Sequence, residues 1–293
     1  MKQLMLLIFL SWFHVARSQS QYTIQQAEDS LAVWSSVFLV INVDSAKKQE
    51  QLDKFKQTLA DILATQEGRN HSFSKLSSIS ILSPPDESFR IFTWFTTSAS
   101  GYKAHGLIQI NKQVARKHSP VVHLTALTHI PKGFVYKTLD AENWPGMVYY
   151  NLIPVKSRNE SYYLLLGFHG NDGLTHKKSI DVISITSSGQ VRFGLPVFMN
   201  ENRMANRIVF EYKANARMSL RYYEKSKMFI FDHLSPENPS MKGQFQHYMP
   251  DFSYDAFKYE KKKWIYIPDV YTKNESENSG KPGVKYNLEL PDK

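Results

Sequence analysis

The sequence predicts an α+β, mainly β protein: an N-terminal helical hairpin packed on an antiparallel β-sheet or sandwich domain. Three observations carry this reading. Apolar residues recur at helical spacing before Gly68, short β-branched and aromatic runs dominate from about residue 76, and turn residues separate those runs. A chain of 293 residues can bury a core without disulfides, and this one has no cysteine. The absence excludes a thiolate nucleophile and any Cys-ligated zinc or iron–sulfur site.

Residues 1–18 read as a signal peptide. Lys2 gives a positive start, "LMLLIFLSWF" (4–13) is an apolar run too short to span a bilayer, and Ala16 and Ser18 fit a small-residue cleavage site. The expectation is an exported protein, periplasmic or extracellular, with no transmembrane segment in the mature chain. Loss of Lys2 and Arg17 lowers the formal charge from +9 to +7, an ordinary solubility charge because the lysines are dispersed.

Two helices are expected over 19–70. The first, 23–41, carries Leu31, Trp34, Phe38 and Ile41 at helical spacing but ends in a β-branched run. The second, 45–68, has Ser45 as N-cap, an apolar face of Leu52, Phe55, Leu59, Ile62 and Leu63, and Gly68 as its stop.

An antiparallel β domain is expected over 76–271. Its candidate strands include 89–97, 104–110, 147–155, 161–168, 179–186, 207–212, 228–234 and 263–270, punctuated by "SPPD", "WPG", "HGNDG" and "SSG". "SSG" reads as a hairpin turn. The close succession of strands argues for meanders over βαβ units. Runs such as "YYLLL" and "MFIF", apolar on both faces, suit strands covered on both sides. The segment 272–293 reads as a polar mobile tail.

No phosphate-binding loop, HExxH or GxSxG motif occurs. Three polar stretches are candidate chemistry. "GFHGNDGLTHKKSID" brings His169, Asp172, His176 and Asp181, "FDHLSP" brings Asp232 and His233, and "PDFSYDAF" brings Asp251 and Asp255. His169, Asp172, His176, Asp232 and His233 are the catalytic candidates, since imidazoles and carboxylates at strand ends can act as general acid and base. Asp251 and Asp255 are the metal candidates, hard oxygen ligands at alternate positions. Each stretch also has a plainer reading. "GNDG" is a hairpin signal, "DHLSP" a strand-terminating turn, and "PDFSYDAF" a turn whose acids bond the backbone.

"YYLLLGFHGNDGLTHKKSIDVI", "FGLPVF", "RIVFEYKANARMSLRY", "FIFDHLSP" and "PDFSYDAF" together resemble a family of exported Bacteroidetes proteins. The resemblance implies an envelope protein and supplies no activity, cofactor or catalytic residue. The reading favours a non-catalytic binding or structural role. A periplasmic hydrolase using the His/Asp loops and a binder of carbohydrate or acidic polymer stay open beside it. An envelope component or polysaccharide is the expected partner, nucleic acid is not, and no cofactor is indicated. Basic and aromatic residues do interleave over 211–227 and 258–267.

Overall fold

A computed structural model describes residues 23–99, 101–111, 120–156, 161–200, 202–272 and 285–286. The expected signal peptide over 1–18 and nearly all of the expected tail lie outside the described residues. Helix α1 spans Ile24–Ser35, α2 Ser45–Ala64 and α3 Gln66–Asn70. The strands follow as β1 (Ser80–Leu82), β2 (Phe89–Ser98), β3 (Gly101–Ile110), β4 (Val121–Leu124), β5 (Leu139–Asp140), β6 (Val148–Lys156), β7 (Ser161–His169) and β8 (Thr175–Ile185). Then come β9 (Val191–Phe193), β10 (Phe198–Asn200), β11 (Arg203–Ala205), β12 (Ile208–Lys213), β13 (Leu220–Tyr223), β14 (Met228–Pro236), β15 (Tyr248–Glu260) and β16 (Lys263–Ile267).

The chain is mainly β, as its sequence predicts, and the strands stack as three sheets with the helices on the outside. The first sheet has the order β1-β2-β3-β4, the middle one β5-β9-β8-β7-β6 with β12 also on β8, and the third β11-β10-β16-β15-β14-β13. Pairing is antiparallel in these sheets except between β10 and β16, where Phe198 lies opposite Trp264 in parallel register. The middle sheet is covered on both faces. Along β7, Tyr162, Leu164 and Leu166 pack toward the third sheet, and Tyr163 and Leu165 pack toward the first. This alternation follows from the period of two in a strand, and it explains why "YYLLL" is apolar throughout. Leu164 and Leu165 are both wholly buried, each worth about 1.5–3 kcal/mol.

The helices cover the outer face of the first sheet. Leu31, Leu52, Phe55, Leu59 and Leu63 meet Phe92, Trp94 and Leu107. α1 starts in a capping box between Thr23 and Gln26 and stops at Ser35, short of the expected residue 41. The β-branched run leaves the helix because Phe38 turns inward, edge-on to Phe55, while its carbonyl accepts from the Thr97 N–H at 2.9 Å. α2 stops at Ala64, before Gly68, because the Thr65 hydroxyl caps α3 by accepting from the Gly68 N–H at 3.0 Å. Lys48 is buried and donates to the carbonyls of Val40 (2.6 Å) and Thr97 (2.9 Å), fastening α2 to β2. No helix among the described residues is long and apolar enough to cross a membrane.

Two segments read as turns are strands. "DHLSP" continues β14, and "MPDFSYDAF" belongs to β15, its partner. Register runs from Met228 opposite Lys258 to Asp232 opposite Tyr254, then resumes with Leu234 opposite Pro250. Asp251, Phe252 and Ser253 therefore bulge against His233 alone. Phe252 carries the strain, with φ of 69° and its ring almost wholly exposed.

A charged pair lies inside the apolar stack. Arg207 Nε donates to Asp181 Oδ1 at 3.1 Å, with both side chains essentially inaccessible to solvent. Nη1 donates to the carbonyls of Phe134 (2.6 Å) and Lys137 (2.9 Å), and Nη2 to that of Phe193 (3.0 Å). Asp181 also accepts from the Val182 N–H at 2.8 Å. A buried pair is tolerable only when its remaining donors and lone pairs are engaged, and here they are. Arg207→Met is expected to strand the Asp181 carboxylate and three carbonyls, lowering unfolding free energy by roughly 3–5 kcal/mol. Urea denaturation measures it, and a loss under about 1 kcal/mol would refute the assignment.

Candidate functional site

The first and middle sheets, with the connection between β14 and β15, contribute to one cleft of about 690 Å³. Its first wall is the start of β3, with Tyr102, Lys103 and Ala104, and its floor comes from Met147, from Lys177 on β8 and from Val209 and Glu211 on β12. The segment after β4 forms the second wall through Ala126, Leu127, Ile130, Phe134 and Val135. Phe245, from the connection between β14 and β15, reaches the rim. Ile130, Phe245 and Tyr102 expose 60%, 42% and 39% of their surface there, a concentration of apolar groups that soluble surfaces usually avoid.

Local backbone chemistry draws these walls together. The β2–β3 turn approaches the β7–β8 turn so closely that the Tyr102 N–H donates to Asn171 O at 3.1 Å. Gly101, at φ 113°, and Gly170 permit the approach. A Cβ on Gly101 would sit 2.3 Å from Asn171 O, and one on Gly170 would sit 2.3 Å from the Tyr102 ring. Arg207 holds the opposite wall through the Phe134 and Lys137 carbonyls, with its guanidinium over the Phe134 ring.

The polar end of the cleft contains His169, Asn171, Asp172, Lys177 and Glu211. His169 Nδ1 accepts from the Asn171 N–H at 2.7 Å, which assigns the proton to Nε2. Burial first, then the charge of Lys177, pushes His169 down to about 4, so the ring is neutral at pH 7. Asp172 accepts from the Leu174 and Thr175 N–H groups, the hairpin role that "GNDG" signals. Lys177 lies 3.5 Å from Glu211, which accepts from the Thr175 hydroxyl at 2.7 Å. One N–H donor of the cleft, His169 Nε2, has no hydrogen-bond partner among the described residues, while Lys103 turns to the opposite face of β3, the side of His105 and of Lys56 on α2.

The other candidates lie elsewhere. His176 projects from the opposite face of β8, edge-on to Phe168 and Tyr212, and burial lowers its pKa. Asp232 accepts from the Ser219 N–H at 2.7 Å and carries a raised pKa, chiefly through burial. It lines an open groove of about 680 Å³ with Lys178, Arg217, Arg221, Tyr150 and Tyr222. That groove takes up the basic-aromatic string of 211–227.

His233, Asp251 and Asp255 form a cluster of their own at the bulge. His233 Nδ1 lies 2.7 Å from Asp255, and Nε2 lies 3.9 Å from Asp251. The two carboxylates flank one imidazole from opposite sides and do not converge on a point, as shared metal ligation would require. Among the described residues, no group of three or more His, Asp or Glu side chains is arranged to hold a metal ion. Asp255 also accepts from the Tyr266 hydroxyl (2.8 Å) and the Asp269 N–H (3.1 Å), and Asp251 accepts from the Ser253 hydroxyl (2.7 Å) and N–H (3.2 Å). These bonds hold the bulge.

Sequence reasoning passed over Glu211, Arg207 and the 126–135 wall. Asp181 in "SIDVISI" and Arg207 in "RIVFEY" were the available signal, since a lone charge in an apolar strand needs an opposite partner. Comparison with protein-family models, curated proteins and solved structures finds no match to the chain.

The histidines set opposite pH dependences. A histidine depressed by burial binds its proton in the unfolded chain first, so stability falls as pH drops from about 6.5 toward the folded value. His169 at about 4 and His105, pushed by burial to about 3, act in this way. His233 acts oppositely. Its hydrogen bond to Asp255, supported by the charges of Asp255, Asp251 and Asp269, raises its pKa despite burial. Its contribution is complete below about 6.5 and is lost as pH rises through the folded value. Between pH 7 and 5, His169→Asn is expected to shrink the acid loss of stability and His233→Asn to enlarge it. Urea midpoints measured across that window check both signs, and a reversed order would refute them.

Proposed function

We propose that the protein is an exported, non-catalytic binding protein that takes a small amphipathic ligand in the cleft between the first and middle sheets. The observation that carries this reading is the combination of apolar walls with an unpartnered donor, His169 Nε2–H, at one end. The volume of about 690 Å³ falls in the range of small-molecule sites, roughly 300–1,000 Å³. The apolar body of the ligand lies against Ile130, Val135 and Phe245, and its acceptor head meets His169 Nε2–H. The hydrolase reading has less support. Its candidates divide between the cleft, the groove and the bulge, and His233 Nε2 faces a second carboxylate where a nucleophile would be needed.

Anilinonaphthalene sulfonate, an anionic apolar probe, tests the cleft by fluorescence titration. Saturable binding to the wild type is expected to weaken about tenfold, roughly 1.4 kcal/mol, in Ile130→Asp/Phe245→Asp. Both residues are substantially exposed, so the fold should survive. Equal affinity in the two proteins would overturn the reading. A second reading, recognition of an acidic polymer, is favoured by Lys178, Arg217 and Arg221 beside Tyr150 and Tyr222 in the open groove. Retention on immobilised heparin that Arg217→Ala/Arg221→Ala abolishes would favour it.

The export component rests on the three-part N-terminus and on the resemblance to exported Bacteroidetes proteins. Mass spectrometry of the envelope or secreted fraction should find a chain starting near Gln19. An intact Met1 terminus in that fraction would refute export by cleavage.

A further inference from the structure

A second cavity, of about 420 Å³, opens where α3 meets the far end of the β2–β3 hairpin. It lies at Phe89, Gln109 and Ile110, while the cleft begins at Tyr102 to Ala104. At about 3.4 Å per residue, the two are separated by most of the length of β3. Nothing in the proposed use of the cleft involves this cavity.

Its notable group is Arg69, on α3. The Nε and Nη2 atoms of Arg69 are buried and have no hydrogen-bond partner. These two nitrogens form one edge of the guanidinium, the side whose parallel N–H groups grip both oxygens of a carboxylate. A buried, unsatisfied donor is costly, the more so on a charged group, so leaving a whole fork unmatched is a substantial penalty. The neighbouring arginine shows the contrast. Arg90 lines the same cavity, but donates to Gln109 at 2.8 Å, to the His71 carbonyl at 2.7 Å and to the Gly68 carbonyl. Arg90 is a structural fastener that docks α3 onto the sheet, and Arg69 beside it fastens nothing through this edge.

We propose that this cavity is a separate binding site for a small carboxylic acid, with the Arg69 Nε/Nη2 edge as its anchor. Charge selects the class. Arg69 and Arg90 against the exposed Glu87 leave one net positive charge, which a monoanionic carboxylate neutralises and a dianionic phosphate overshoots. The walls select the body. Gln66, Asn70 and Ser83 offer hydrogen bonds around the anchor, so the acid is hydroxylated or otherwise polar, of the size of a single sugar acid. The site is built on elements tied down by Arg90 and Gln109, whose amide donates to the Leu63 carbonyl, and filling it requires the Arg69 side chain to turn this edge, closed to solvent in the structure, toward the cavity.

Thermal unfolding of the full chain tests this, with glucuronate as the carboxylate probe and phosphate as the alternative, each balanced against chloride at constant ionic strength. At about 20 mM glucuronate the wild-type Tm is expected to rise by roughly 2 °C or more through binding to the native state. Arg69→Gln and Arg69→Lys should both lose the rise, the lysine because it keeps the charge and lacks the fork. Without anion, the Tm of Arg69→Gln should equal or exceed that of wild type, since an unsatisfied buried cation has been removed. Ile130→Asp/Phe245→Asp should respond to glucuronate like wild type, which separates this site from the cleft. A rise with phosphate but not glucuronate, an equal rise in Arg69→Gln, or a Tm well below wild type for that variant without anion would each overturn the proposal.

Discussion

The Asp181–Arg207 pair is the constraint on which the rest of the structure turns. Stacked sheets give the middle layer two apolar faces, and a carboxylate inside that stack is tolerable only with a charged partner and a complete set of hydrogen bonds. Arg207 supplies both, and its geometry does more than neutralise charge. Its three remaining contacts go to the carbonyls of Phe134, Lys137 and Phe193, so one guanidinium ties the irregular segment after β4 to the middle sheet. That segment is the movable-looking wall of the cleft, yet its backbone is pinned from beneath. A binding wall held in this way is pre-organised, which lowers the ordering cost that a ligand must offset.

A related logic fixes the other end of the molecule. The helices have one apolar stripe each, and the outer face of the first sheet is their partner, but apolar contact alone does not set their register. Lys48, Arg90 and Gln109 do so by donating to backbone carbonyls across the helix–sheet boundary. Each bond fills a carbonyl that would otherwise face the core without a donor. The helix ends are therefore placed by polar groups inside an apolar interface, and the cavity at Arg69 is the space left between those fasteners.

Much of the architecture was legible in the sequence because it follows from periodicity. The apolar stripe of α2 and the double-sided run of β7 each report burial directly, and Gly189 in "SSG" marks the β8–β9 hairpin. What could not be read was set by distant contacts. Phe38 leaves α1 because Phe55 and Thr97 wait for it, which the local run does not announce. β15 was hidden because Pro250 and alternating acids imitate a turn, whereas the ladder with β14 absorbs them in a bulge. Of the candidate site, His169 and Asp172 were visible. Their companion Glu211 was not, since only the pairing of β12 with β8 sets it opposite Lys177.

The two groups of polar side chains that the sequence singled out differ in one physical respect. At the bulge, both carboxylates and His233 Nδ1 are hydrogen-bonded within the protein, and His233 Nε2 faces the Asp251 carboxylate at 3.9 Å. Asp255 accepts from Tyr266, Asp269 and His233, and Asp251 accepts from Ser253, which together hold Phe252 at a positive φ that costs about 1–3 kcal/mol. A cluster so occupied with its own backbone has few donors or acceptors left for a substrate. In the cleft, by contrast, Asp172 and Glu211 are satisfied locally while His169 Nε2 is not, and it lies at the end of the apolar walls. Arg69 meets the same test at the far end of β3, with two buried N–H groups and no acceptor. Unmatched polar groups in concave places are the rare feature in a folded protein, whereas histidines and aspartates on strands are common. Function is therefore sought where hydrogen-bonding capacity remains free, and in this molecule that criterion selects the cleft and the Arg69 cavity over the more conspicuous His233–Asp255 pair.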